Sequence, residues 1–146
     1  MSLLENRKGN KTLMVRREVQ AVIFDEVDYA RKVLILKKTD YSARRYRWRL
    51  LKGGLNNGES EAKGLQREIF EETGLRNIRI LERIHTYEYI FKNIRHLVST
   101  YLVKADSQEP VRLQESEVAD CLWTTKEKAL QMLYWKNEKE ALEFLK

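Results

Sequence analysis

Cysteine, proline and histidine are nearly missing from this chain, and the shortages bound what it can be. A single cysteine, Cys121, excludes a disulfide framework and a cysteine-based zinc site and fits a reducing cytoplasm. One proline, Pro110, and six glycines leave no Pro/Gly/Ser-rich linker to divide the chain. No internal repeat is visible. The 146 residues therefore read as one domain, 1–146, long enough to bury a real core, with the polar residues 1–12 expected to fray. No apolar run approaches membrane-spanning length, and the N-terminus lacks the apolar stretch of a signal peptide. The expectation is a cytoplasmic protein with no membrane partner. The two histidines, His85 and His96, read as structural.

Charge is what the chain has in abundance. Lys and Arg number 28 against 22 Asp and Glu, a formal +6. Much of the excess lies in Lys37, Lys38, Arg44, Arg45, Arg47, Arg49 and Lys52, interleaved with Tyr41, Tyr46 and Trp48. Such a run reads as a solvated loop, a polyphosphate-binding rim or an RNA surface.

The acidic residues have a focus of their own. Gly53 to Glu59 form a glycine-bearing turn leading into a predicted helix over 61–73. Ser60 can cap its start, and Gly74 can take the left-handed conformation that ends it. At about 100° per residue, Glu68, Glu71 and Glu72 share one face, with Glu61 and Gly64 on the same side. Ala62, Ile69, Phe70 and Thr73 fall opposite and are expected to pack on a core. Like charges three and four apart cost a helix about 0.2–0.5 kcal/mol each, so three within two turns need a reason. One reason is a solvated face with Lys63 and Arg67 as partners. The other is a hard divalent cation, Mg²⁺ or Mn²⁺, which takes oxygen ligands.

Written as a pattern, the stretch is G-x5-E-x7-R-E-U-x-E-E-x-G-U, with U aliphatic. Gly53, Glu59, Arg67, Glu68, Ile69, Glu71, Glu72, Gly74 and Leu75 meet it. This resembles the Nudix box, a coincidence expected by chance on the order of once in ten million chains or fewer. The resemblance extends over roughly residues 18–145. It implies an α/β fold, the Nudix α/β/α sandwich with a mixed central sheet. It implies a Mg²⁺- or Mn²⁺-dependent pyrophosphohydrolase acting on a nucleoside diphosphate linked to another moiety. Site roles follow from the same resemblance. Glu71 and Glu72 would be metal ligands, Glu68 a ligand or general base, and the Gly53 carbonyl a further ligand. Arg67 would orient the carboxylates, and Glu59 would support the loop–helix junction. Glu117 would add a carboxylate from another element, with Glu115 as its competitor. Two positions depart from the family pattern: Leu51 stands where proline is common, and Gly64 where alanine is, the latter costing about 1 kcal/mol of helix stability.

Around the box, strands are predicted at 18–25, 32–37, 77–91, 95–104 and 117–123, with a polar loop after Thr39 and a turn at Lys92–Asn93. Helices follow at 125–134 and 137–145, the second with Ala141, Leu142 and Leu145 on one stripe. His85, Tyr87, Tyr89 and Phe91 alternate onto one strand face, either as packing or as a base-stacking platform. The last third and the Tyr87/Tyr89 pair resemble the bacterial and archaeal diadenosine tetraphosphate hydrolases of the family. That likeness implies a dinucleoside polyphosphate substrate, with Arg47, Arg49 and Lys52 on its phosphates and Tyr87 and Tyr89 on adenine. An RNA 5′ end, ADP-ribose, a nucleotide sugar or an oxidised nucleoside triphosphate are the alternative substrates, and a non-catalytic nucleotide-binding module is the alternative class. Monomer and homodimer both remain compatible.

Overall fold

Two apolar runs, Val19 to Phe24 and Val33 to Leu36, are buried along their whole length. Strands apolar on both faces must lie between two layers, and these do in the computed structural model, which describes residues 2–5, 12–41 and 43–146. The elements are β1 (Ser2–Glu5), β2 (Thr12–Val27), β3 (Ala30–Asp40), β4 (Arg45–Arg49), β5 (Leu51–Gly54), α1 (Glu61–Thr73), β6 (Ile78–Phe91), β7 (Ile94–Ala105), β8 (Val118–Thr125), α2 (Lys126–Met132) and α3 (Lys136–Leu142). They form the α/β sandwich with a mixed sheet that the sequence implied. The strand order is β4-β3-β2-β7-β6, with β1 and β5 pairing β2 and β8 pairing β3. Only β2 and β7 run parallel; the other pairs are antiparallel.

Each face of the sheet has its own core. On one, Leu65 and Ile69 of α1 pack with Val19, Ala21, Ile23, Leu34, Leu36 and Val103. On the other, Ala129, Leu133, Ala141, Leu142 and Leu145 pack with Val22, Phe24, Val33, Ile35 and Leu102. Two tight hairpins fix the register: Asp28–Tyr29 joins β2 to β3 and Lys92–Asn93 joins β6 to β7, all four residues with φ between 51° and 65°. That is the geometry of the turns whose twist matches flanking strands. No helix among the described residues is long and apolar enough to cross a membrane.

Several expectations need correction. The basic stretch after Thr39 is not a loop throughout: β3 continues to Asp40, and β4 and β5 follow as strands. β4 lies on β3 and β5 on β2, with Leu50 between them. Ser2–Glu5 form a strand on β2; the rest of the polar N-terminal stretch before Thr12 lies outside the described residues. The last strand begins at Val118 rather than 117 and runs to Thr125. α2 is shorter than the sequence suggested at both ends, and α3 begins one residue earlier, at Lys136, and stops three earlier, at Leu142. On α1 the buried set is Gly64, Leu65, Ile69, Glu72 and Thr73. Phe70 faces out, with the Arg76 guanidinium 4.7 Å from its ring centroid, and Ala62 is exposed. Leu65, left out of the expected face, takes the core position.

Candidate active site

The helix that carries the box is built as its sequence dictates. Ser60 Oγ accepts from the Lys63 backbone N–H at 3.2 Å, and Gly74 ends the helix at φ 75° with its N–H donating to the Phe70 carbonyl. Ahead of it, Glu59 closes the loop. Its Oε1 accepts from the Asn56 backbone N–H, and both its oxygens accept from Arg67 at 2.8 Å. Such a two-pronged guanidinium–carboxylate pair is strong and directional. It holds the Glu59 carboxyl down at about 2, with Arg67 the main cause.

Arg67 is the hub of the acidic face. Besides Glu59 it donates to Glu68 Oε1 at 2.9 Å, to Glu71 Oε2 at 3.2 Å and to the Gly54 carbonyl at 2.8 Å. One guanidinium thereby joins three of the box carboxylates to β5. Gly53 lies against the same cluster. A Cβ on Gly53 would stand 2.1 Å from Glu68 Cδ, so the bare backbone is what lets Glu68 reach β5.

Glu72 is handled differently. It is buried, its Oε1 lies 2.6 Å from Lys38 Nζ, and its Oε2 is enclosed with no hydrogen-bond partner. Lys38 Nζ also donates to the Lys52 carbonyl at 3.3 Å. Burial pushes the Glu72 carboxyl up, against the pull of Lys38, and the charges of Glu68 and Glu117 push it further in the same direction. Glu68 is also raised, mainly by burial, with Arg67 opposing. Glu117 thus stands within electrostatic reach of Glu72 from the turn before β8.

These residues fit a hard cation by chemistry: carboxylate oxygens, a neighbouring backbone carbonyl, and one buried carboxylate oxygen with an open lone pair. Among the described residues no three acidic, His or Cys side chains are gathered into a ready metal cage. Glu72 is turned to Lys38, and Glu68 and Glu71 to Arg67.

The other expected residues lie on β4, β5 and β6, several of them already engaged. Arg47 pairs with Asp40 at 3.0 Å and sits 3.6 Å from the Tyr134 ring centroid. Arg49 and the Leu50 backbone N–H both donate to Glu138, which is buried to 1%. Lys52 donates to the Tyr89 hydroxyl, which donates to Glu18; His96 Nδ1 contacts the same Glu18 oxygen at 2.8 Å. Burial lowers Lys52 to about 8, Glu18 working against it. Tyr87 and Thr100 both donate to Gln20. The rings form one ladder: Phe144, His85, Tyr87, Tyr89 and His96, with centroids 5.7, 5.7, 6.3 and 4.4 Å apart in turn. The alternation along β6 therefore builds a row of rings stacked along one strand, closed by Phe144 at one end and by the cross-strand partner His96 at the other, with the tyrosine hydroxyls on the buried Gln20 and Glu18.

Sequence reading missed Glu18, Gln20 and Glu138, which look like ordinary strand and helix polar residues until the fold buries them. It also named Lys38 only as one charge in a basic run. The pairing of β3 with β8 slips between Lys37 and Lys38, an irregularity that no local pattern announces.

Comparison with known proteins adds the lineage. Residues 14–145 match the NUDIX domain family. RNA pyrophosphohydrolase of Bartonella tribocorum is 32% identical over 82 residues, 54% of this chain and 47% of that protein, and the chain spans about half the length of the curated relatives it matches. Among solved structures, a binary complex of the C. elegans Ap4A hydrolase superposes with TM-score 0.77 at 22% identity, covering 88% of this chain and 93% of that one. The NUDIX domain of Shewanella oneidensis NrtR bound to ADP ribose superposes with TM-score 0.74 at 22% identity, covering 94% and 89%. At such identities the superpositions establish the fold. With the box residues gathered on α1 and β5 and the family matched over most of its length, the chain belongs to the Nudix hydrolase family.

Proposed function

We propose that the chain is a metal-dependent pyrophosphohydrolase whose substrate is a dinucleoside polyphosphate such as diadenosine tetraphosphate. The observation that carries the reading is the juxtaposition at β5. Gly53 packs on Glu68 of the acidic helix, while its neighbour Lys52 reaches the Tyr89 hydroxyl on the opposite face of the sheet. One strand step therefore joins a carboxylate cluster suited to a cation to a cationic, ring-lined surface. Glu68, Glu71 and Glu72, with Glu117 and the Gly53 carbonyl, would hold a divalent cation; Nudix hydrolases generally need one, and Mg²⁺ or Mn²⁺ suits an all-oxygen set. Such an ion neutralises phosphate oxygens and lowers the pKa of bound water. The chain's own part is positioning. Arg67 holds Glu68 and Glu71 in place through Glu59 and Gly54. Glu68, raised by burial, is the candidate to take a proton from the attacking water. Lys52 would turn from the Tyr89 hydroxyl to meet a phosphate oxygen. Arg47 and Arg49 form the rim behind it, their charge shared with Asp40 and Glu138. Tyr87 would stack on adenine, with Tyr89 behind it.

A second reading, an RNA 5′ end, is favoured by the Bartonella relatives and by Arg44, Arg45, Tyr41 and Tyr46, exposed on the β3–β4 connection and the start of β4. The test is to measure kcat/KM for diadenosine tetraphosphate and for a 5′-triphosphorylated oligonucleotide in one Mg²⁺ buffer, with products resolved by chromatography. A higher value for the dinucleotide supports the proposal; a clear preference for the oligonucleotide replaces it with the second reading. Full turnover in excess EDTA would overturn metal dependence itself.

A further inference from the structure

We propose that Lys38 is a resident counter-cation of the carboxylate site, and that its ammonium gives up Glu72 when a divalent cation is taken up. The inference rests on the metal-dependent reading above. Lys38 Nζ lies 2.6 Å from Glu72 Oε1, with side chains only 14% and 5% exposed. The second oxygen of the same carboxylate is enclosed and unpaired. A buried carboxylate with one oxygen on an ammonium and the other without a hydrogen bond keeps an unused acceptor that a cation could take. A divalent cation seated on it would meet the ammonium at close range, and two positive charges on one carboxylate repel.

The two cations of the site differ in how firmly they are tied. Arg67 keeps three anchors that do not depend on the metal candidates: two hydrogen bonds to Glu59 and one to the Gly54 carbonyl. If Glu68 and Glu71 turn away, its guanidinium stays. Lys38 has Glu72 and one backbone carbonyl. Its four-carbon stem is flexible, and an ammonium has no preferred plane to lose. It projects from the point where the β3–β8 register shifts, the type of irregularity that aims a side chain out of the regular pleat. Lys38, rather than Arg67, is therefore the group that yields. Metal affinity is then set partly by a lysine that would ligate nothing.

Two measurements on the intact chain test this. The first is Mn²⁺ binding followed by electron paramagnetic resonance of the free ion, in the wild type, Lys38→Met, Lys38→Gln and Glu72→Gln. Both Lys38 variants should bind Mn²⁺ roughly tenfold more tightly than wild type, because the like charge is gone, and Glu72→Gln should bind more weakly. Lys38→Gln keeps a donor for the Lys52 carbonyl and guards against a folding defect in Lys38→Met. The second uses the wild type alone: amine labelling at Lys38, read by mass spectrometry, should speed up several-fold on adding Mg²⁺ while Lys63 does not change. If wild type binds Mn²⁺ but neither Lys38 variant binds it more tightly, or if Lys38 labelling stays the same on Mg²⁺ addition, the exchange is overturned and the metal-dependent reading stands. If wild type binds no Mn²⁺, both fall together.

Discussion

Glu72 is 4% exposed, yet Oε2 has no partner and the neighbouring carboxylates add to its burden. A side chain serving only the fold would be expected to have both oxygens satisfied. Replacing it by glutamine keeps an oxygen for Lys38 and removes the charge. Glu72→Gln should therefore leave the circular dichroism spectrum unchanged while turnover falls by about 10²-fold or more, the scale of losing metal assistance; near-wild-type turnover would remove Glu72 from the site. Glu117→Gln should lower kcat/KM more than Glu115→Gln, since the Glu117 charge is one of those that raise Glu72; the opposite order would move the assignment two residues upstream. At this scale the sequence was most informative where spacing is rigid. Gly53, Glu59, Arg67 and Glu68 sit together because one helix and one turn fix them. Lys38 could not be placed, because its contact with Glu72 joins β3 to α1, elements far apart in sequence, and the β3–β8 pairing slips at that residue.

Among the elements, α1 carries a glycine that the sequence reading counted as a simple loss. An alanine Cβ at position 64 would lie 2.2 Å from Leu55 Cδ2 and 3.0 Å from Glu59 Oε1. In an exposed helix, glycine to alanine gains about 1 kcal/mol; here overpacking should reverse the sign, so that Gly64→Ala costs about 1–3 kcal/mol. Urea unfolding of Gly64→Ala, Leu55→Ala and the double variant should show positive coupling, because Leu55→Ala empties the space the new methyl needs. Additive effects would mean that Leu55 moves aside freely. A second cross-element tie is Glu138 of α3, which accepts from Arg49 and from the Leu50 N–H, the residue that divides β4 from β5. Glu138→Ala leaves a half-buried guanidinium and a buried N–H without their acceptor. It should cost about 3–5 kcal/mol, as breaking a buried pair does, read as a lowered thermal midpoint. Alternation made β6 legible, and the caps Ser60 and Gly74 with the box spacing made α1 legible although its buried face was misassigned. Periodicity failed for β4, where Arg, Tyr and Trp alternate and the burial is by ion pairs and rings rather than by aliphatic residues, and for β5, a four-residue strand that is half glycine.

For the whole molecule, acid stability should follow the loop–helix junction. Arg67 holds Glu59 at about 2 in the folded chain, below its ordinary 4.5. The unfolded chain therefore binds the proton more readily, and the stabilisation is fully present above about pH 4.5 and fades as pH falls towards 2. Thermal midpoints across that window should fall less steeply for Glu59→Gln than for wild type, from a lower starting value at pH 7; parallel curves would contradict it. One left-handed residue lies in a turn outside the box. Tyr29 has φ 65° in the β2–β3 turn with its ring wholly exposed, so the fold holds a left-handed tyrosine that buries nothing in return. Tyr29→Gly would leave Asp-Gly, the dipeptide such turns prefer, and should raise stability by about 1 kcal/mol. For protein engineering, that turn is an adjustable margin: a variant library at Lys38, Glu72 or Gly64 built on a Tyr29→Gly background should retain more folded members than one built on the wild type.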